Sequence, residues 1–179
     1  MKIYINHVAE LLSFIIAIYC YNDLKPTFMK WFLPFLGLIF FGEILAIYFY
    51  TVSNINIYYI ISIVEVAFYS YIFYHLNHRR RIKKIILFLF AICEIGYVIS
   101  FIFFGKNYTY FLNNLIVSGF YLVSIALIYL YIKVVDFDNA SLTSEPGFWI
   151  ATGVSLFFSG VSISFSLYEF IKNNSLYLF

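Results

Sequence analysis

Glu43, Glu65 and Glu94 stand near the midpoints of three successive apolar blocks, and no lysine or arginine occupies the central part of any block in the chain. Each block runs to about twenty residues, the length at which an α-helix crosses ~30 Å of hydrocarbon. An ionised carboxylate at that depth costs at least ~2.5 kcal/mol. Each of these acids must therefore be protonated, hydrogen-bonded or open to water, and desolvation favours the neutral form. Residues at helical spacing offer partners. Tyr58, Ser62, Glu65 and Tyr69 share one face, Cys93 and Glu94 are followed by Tyr97 and Ser100, and Asn114, Ser118 and Tyr121 form a further stripe. The last block carries Thr152, Ser155, Ser159, Ser162, Ser166 and Glu169 on one face. Small hydroxylated residues let helices approach and hydrogen-bond; Gly153 and Gly160, and Gly42 with Ala46, belong to the same pattern.

Two readings of this constellation stand side by side. In one, the tyrosine, serine and asparagine groups satisfy the glutamates and fix helix packing. In the other, Glu43, Glu65, Glu94, Tyr69, Tyr97, Asn114 and Ser159 line a polar centre for a small ligand, a cation or a proton. His7 and Glu10, near the start of the first block, are either the mouth of that centre or a solvated pair.

Several other chemistries lack their residues. No histidine lies mid-block to ligate haem, and no central lysine could form a retinal Schiff base. His-Glu-x-x-His, Gly-x-Ser-x-Gly, a phosphate-binding glycine loop and Cys/His metal spacing are all missing. Cys20 and Cys93 fall in apolar blocks and make neither a disulfide framework nor a metal site. Asp136 and Asp138 with Glu145 could catch a divalent ion, although a solvated loop is the simpler reading. Asn107-Tyr108-Thr109 and Asn173-Asn174-Ser175 match the short glycosylation pattern, which matters only in a secretory pathway. The expectation is a protein with no enzymatic activity, no cofactor and no nucleic-acid partner.

The elements that must position these residues follow from composition. Apolar residues make up 64% of the chain and charged residues 11%, against roughly 45–50% and about 25% in a soluble domain. A membrane β-barrel would show ~10-residue alternating segments, which are not present. The reading is all-α: a single polytopic transmembrane bundle with spans at about residues 5–21, 31–51, 56–76, 84–104, 109–134 and 148–171. Pro146 is suited to the first turn of the last span, where its missing N–H costs nothing. The first block is expected to be a retained span and not a cleaved leader.

Orientation follows from the basic residues. The run Arg79, Arg80, Arg81, Lys83, Lys84 lies between the third and fourth spans. With that run in the cytoplasm, eight basic residues fall inside and three outside, which places the N-terminus outside. Trp31 and Trp149 then sit at inner boundaries. The same run could also be read as an anionic-lipid or nucleic-acid patch, topology being the simpler account. The residues Ser175-Leu176-Tyr177-Leu178-Phe179 resemble the opening of another apolar block, so a seven-span fold lacking its last helix is the alternative to six spans.

Three short motifs carry a resemblance: Gly42-Glu43-Ile44-Leu45; Asn54-Ile55-Asn56-Ile57-Tyr58 with Glu65 seven residues on; and Phe148-Trp149-Ile150-x-x-Gly153 leading to Phe158-Ser159-Gly160. Together they resemble multi-span membrane proteins and sensor histidine kinase input regions of Bacteroidota. The resemblance implies about seven spans, an inner-membrane location and signal transduction through a kinase module, with Glu43, Glu65, Trp149 and Gly153 as shared features. These 179 residues depart from that pattern in lacking a kinase module and a clear last span, so either a truncated input region or a free-standing relative is expected. The expected role is a sensory or accessory module working with the bilayer and with a second copy or a signalling partner. A small proton- or cation-coupled transporter or channel subunit is the alternative.

Overall fold

The computed structural model describes residues 5–24, 27–48, 54–104, 108–135 and 145–175. Among these, every regular element is helical: α1 (Ile5–Tyr19), the single turn α2 (Tyr21–Leu24), a 3-10 turn (Phe28–Trp31), α3 (Phe32–Tyr48), α4 (Asn54–Leu76), α5 (Arg80–Phe104), α6 (Tyr108–Val135) and α7 (Pro146–Ser175). Five helical segments are long and apolar enough to cross a membrane: Phe28–Ala46, Asn56–Leu76, Arg80–Phe103, Thr109–Val135 and Pro146–Leu167. At the first expected span the described helix α1 covers 15 residues, which rise about 22 Å at 1.5 Å each. The helix breaks after Tyr19 into α2.

Local chemistry sets the helix ends. Thr27 opens the 3-10 turn by accepting a hydrogen bond from the Met29 amide at 3.2 Å while donating to the Leu24 carbonyl at 2.8 Å. Asn77 closes α4, its side chain donating to the Phe73 carbonyl at 2.8 Å. Pro146 begins α7, as its ring and lost donor favour. The basic run is only partly a loop: Arg80, Arg81, Lys83 and Lys84 lie in the first turns of α5. Cations oppose the dipole at a helix N-terminus. Keeping those charges out of hydrocarbon, at several kcal/mol each, outweighs that cost of about 0.3–1 kcal/mol.

α4 is the hub, packed against α3, α5 and α6, with α7 on α6 and α1 on α3. The main core joins Tyr59, Phe73, Tyr97, Leu112, Tyr121, Leu122 and Tyr129 to Ala151, Val154 and Phe158 of α7. A second cluster fixes α3 through Phe35, Phe68 and Ile72, with the Phe35 and Phe68 rings stacked at 3.8 Å. α1 is attached mainly by Phe14, whose ring meets Phe40 and Phe41 at 6.2 and 6.1 Å and lies over Gly37. The outer surface is apolar. Phe103 and Leu156, 73% and 72% exposed, are costly in water and at home against acyl chains.

Glycine has two different uses here. At Gly42 a Cβ would stand 2.9 Å from Ile61, and at Gly147 it would meet the Tyr129 hydroxyl and Leu76, so these glycines allow close approach. Gly153 and Gly160 have open space beside them and no neighbour within 4 Å. Their expected place in a helix contact is thereby corrected: they face away from the bundle, and Gly119 of α6, against Ser162, supplies the close approach to α7.

Candidate functional site

The three mid-span glutamates do not meet at one point. Glu43 on α3 accepts a hydrogen bond from the Tyr58 hydroxyl of α4 at 3.3 Å. Glu65, two turns along α4 from Tyr58, lies within electrostatic reach of Glu43 and of Glu10 on α1. Glu94 on α5 instead neighbours Cys93 and Tyr121. Its Oε1 is enclosed with no hydrogen-bond partner among the described residues. Three helices, α1, α3 and α4, thus bring carboxyl groups to a shared seam, and the acid of α5 stands apart.

None of these acids is fully buried. Glu43, Glu65 and Glu94 are each half-buried by the protein, and no charged side chain among the described residues is fully enclosed. The expected buried centre is therefore a lateral seam, because α1 packs on α3 without closing over α4. Glu10, which the sequence left open between the mouth of that centre and a solvated pair, lies within electrostatic reach of Glu65. The signal was present, since Glu10 is the only acid in its apolar block. Its partner helix, however, is set by tertiary packing. The side chain of His7 lies outside the described residues.

The other expected site residues divide in the same way. The Tyr69 ring packs on Phe35, Phe68 and Phe158, each at 5.6 Å, and the residue is within reach of Glu65. Tyr97, 1% exposed, shares a hydrogen bond with Ser118 at 2.8 Å and lies near both Glu65 and Cys93, bridging the two acidic regions. Asn114 reaches the Gly96 carbonyl at a long 3.5 Å, tying α6 to α5 and not to an acid. Ser159 is half-buried on α7. Of its stripe, Ser155 and Ser162 have enclosed hydroxyls with no partner among the described residues, and Thr152 bonds to its own helix at Phe148. The stripe is a packing face, and the Glu169 side chain lies outside the described residues.

The opposite feature is the basic end. Phe28 stacks on His75 at 5.7 Å, and a crevice of about 240 Å³ there is lined by Met29, His78, Lys133, Glu145 and Gly147 among others. Lys30, the Arg79–Lys84 run and Lys133 therefore share one end of the bundle. Trp31 and Trp149, both exposed, flank the same end. Glu145 pairs with Lys133 at 2.7 Å, and Asp136 and Asp138 lie outside the described residues. No group of three or more metal-ligating side chains occurs among the described residues.

The helices and their apolar exterior define a multi-pass helical membrane protein. No family model, curated protein or solved structure matches the chain. The likeness to Bacteroidota input regions accordingly rests on its short motifs alone.

Proposed function

We propose that the chain is a non-enzymatic membrane sensory or accessory module whose moving part is the seam of α1, α3 and α4. The observation that carries this reading is the convergence of Glu10, Glu43 and Glu65 from three helices. Like charges close together in low dielectric repel, so such a set offers a place for a proton or a cation. The groups facing it are the hydroxyls of Tyr58, Tyr69 and Tyr97. Gain or loss of the proton or cation changes the repulsion between α1 and its neighbours. Only differential binding to two arrangements can produce a signal, and α1, packed on α3 at the edge of the bundle, is the element proposed to take a second one. Such a module would work in a bacterial inner membrane with its basic end in the cytoplasm, passing the movement to a signalling partner or a second copy.

Spin labels at the exposed positions Ile16 of α1 and Ile60 of α4 test this in proteoliposomes. The distance between them should change between neutral and acidic buffer in the parent and stay fixed in Glu65→Gln. An unchanging distance in the parent would sink the proposal. Gradient-driven rubidium uptake that disappears in Glu65→Gln would replace it with the transporter reading.

A further inference from the structure

At the basic end, two apolar grooves flank one ridge of α3. Trp31, Pro34 and Leu38 form the ridge and line both grooves. The groove towards α4 has a volume of about 360 Å³ and is walled by Val64, Ala67 and Phe68. The groove towards α1, about 790 Å³, is walled by Phe14 and Phe41 and has Tyr21 and Lys30 in its lining. From Lys30 to Phe41 the chain rises roughly 16 Å at helical pitch, about half the ~30 Å hydrocarbon thickness and so the depth of one leaflet. Lys30 is exposed, with its ammonium 5.7 Å from the Trp31 ring centroid. The Phe28–His75 stack brings the end of α4, which leads into the Arg79–Lys84 run, alongside.

We propose that one anionic phospholipid straddles this ridge, with an acyl chain in each groove and its phosphate on Lys30. Paired apolar slots, the one towards α1 reaching single-leaflet depth and the one towards α4 running from Trp31 to Leu38, match the two tails of a diacyl lipid. A cation at the headgroup level selects for acidic headgroups, as basic pockets between spans do. Trp31, an amphipathic ring at the same level, suits the interface between tail and headgroup. The glutamate seam takes no part, so this site stands or falls independently of the sensory reading.

The full chain, reconstituted in nanodiscs of equal phosphatidylglycerol and phosphatidylcholine and then extracted, is weighed by native mass spectrometry with its retained lipids. One phosphatidylglycerol per chain should be retained in preference to phosphatidylcholine. Lys30→Gln should lower that retention about fivefold, as loss of one basic contact with an acidic headgroup implies. Lys84→Gln, an exposed cation outside the grooves, should leave it unchanged. Ala67→Trp, which fills the α4 groove, should abolish it; should that variant not fold, the two lysine variants decide. Equal retention of both lipids, equal effects of Lys30→Gln and Lys84→Gln, or full retention in folded Ala67→Trp would each overturn the proposal.

Discussion

Between α4, α5 and α6, tyrosine hydroxyls meet serines: Tyr97 with Ser118 at 2.8 Å and Tyr121 with Ser70 at 2.7 Å, the Tyr121 hydroxyl also donating to the Ile86 carbonyl at 3.2 Å. Between α1, α3 and α4, the contacts include phenylalanine rings and carboxyl groups, with the Tyr58 hydroxyl donating to Glu43 at a looser 3.3 Å. The first region pairs neutral donors and acceptors at Tyr97–Ser118 and Tyr121–Ser70, while the enclosed Tyr59 hydroxyl has no partner among the described residues. The second places groups whose charge can change at a lateral seam. A membrane bundle gains little from apolar contact between helices, because lipid tails are as apolar as leucine. Packing fit and hydrogen bonds therefore decide which region is stiff, and the tyrosine–serine region has both.

This contrast can be broken at its strongest point first. Tyr97→Ala removes a fully enclosed ring and its hydrogen bond with Ser118; it should cost about 3–5 kcal/mol, the range for large aromatic-to-alanine changes in cores, measured by reversible unfolding in mixed micelles. A smaller loss, close to that of an exposed position, would show the core is not where stability resides. Gly147→Ala drives a methyl into the Tyr129 hydroxyl and Leu76 and should cost about 1–3 kcal/mol as overpacking, with a lowered unfolding midpoint as the readout. On the α1 side, Phe14→Ala gives up two ring pairs and should cost only about 1 kcal/mol. Its clearer mark should be faster proteolysis near Tyr19 while α4–α7 stays protected. Smallest of all, Tyr58→Phe should cost about 0.6 kcal/mol, the mean for an interhelical hydrogen bond in a bilayer. In the opposite direction, Gly153→Ala, open on its outer side, should raise stability by up to about 1 kcal/mol through helix propensity.

Much of the architecture was legible in the chain itself. Block length and the near absence of charge predicted the long helices, because hydrocarbon tolerates only backbone that satisfies its own hydrogen bonds. Arg79 to Lys84 marked one end of the bundle for the same reason. The helical stripes put Tyr58, Glu65 and Tyr69 on one face of α4. Their partners were not legible, since periodicity orients a face without naming the helix opposite it. Spacing thus grouped Glu94 with Glu43 and Glu65, whereas packing exchanged it for Glu10. It also paired Gly153 and Gly160 with a neighbour they do not touch.

The sequence by itself determined that the chain is a helical membrane bundle with acids at depth and cations at one end. Those properties follow from transfer free energy, which each segment meets alone. Only the tertiary structure decided that Glu10 of α1 lies within electrostatic reach of Glu65, and that a ridge at the start of α3 parts two apolar grooves. Such features depend on which helix faces which, and that choice is made by side-chain fit at contacts such as Phe35 on Phe68 and Phe14 on Gly37.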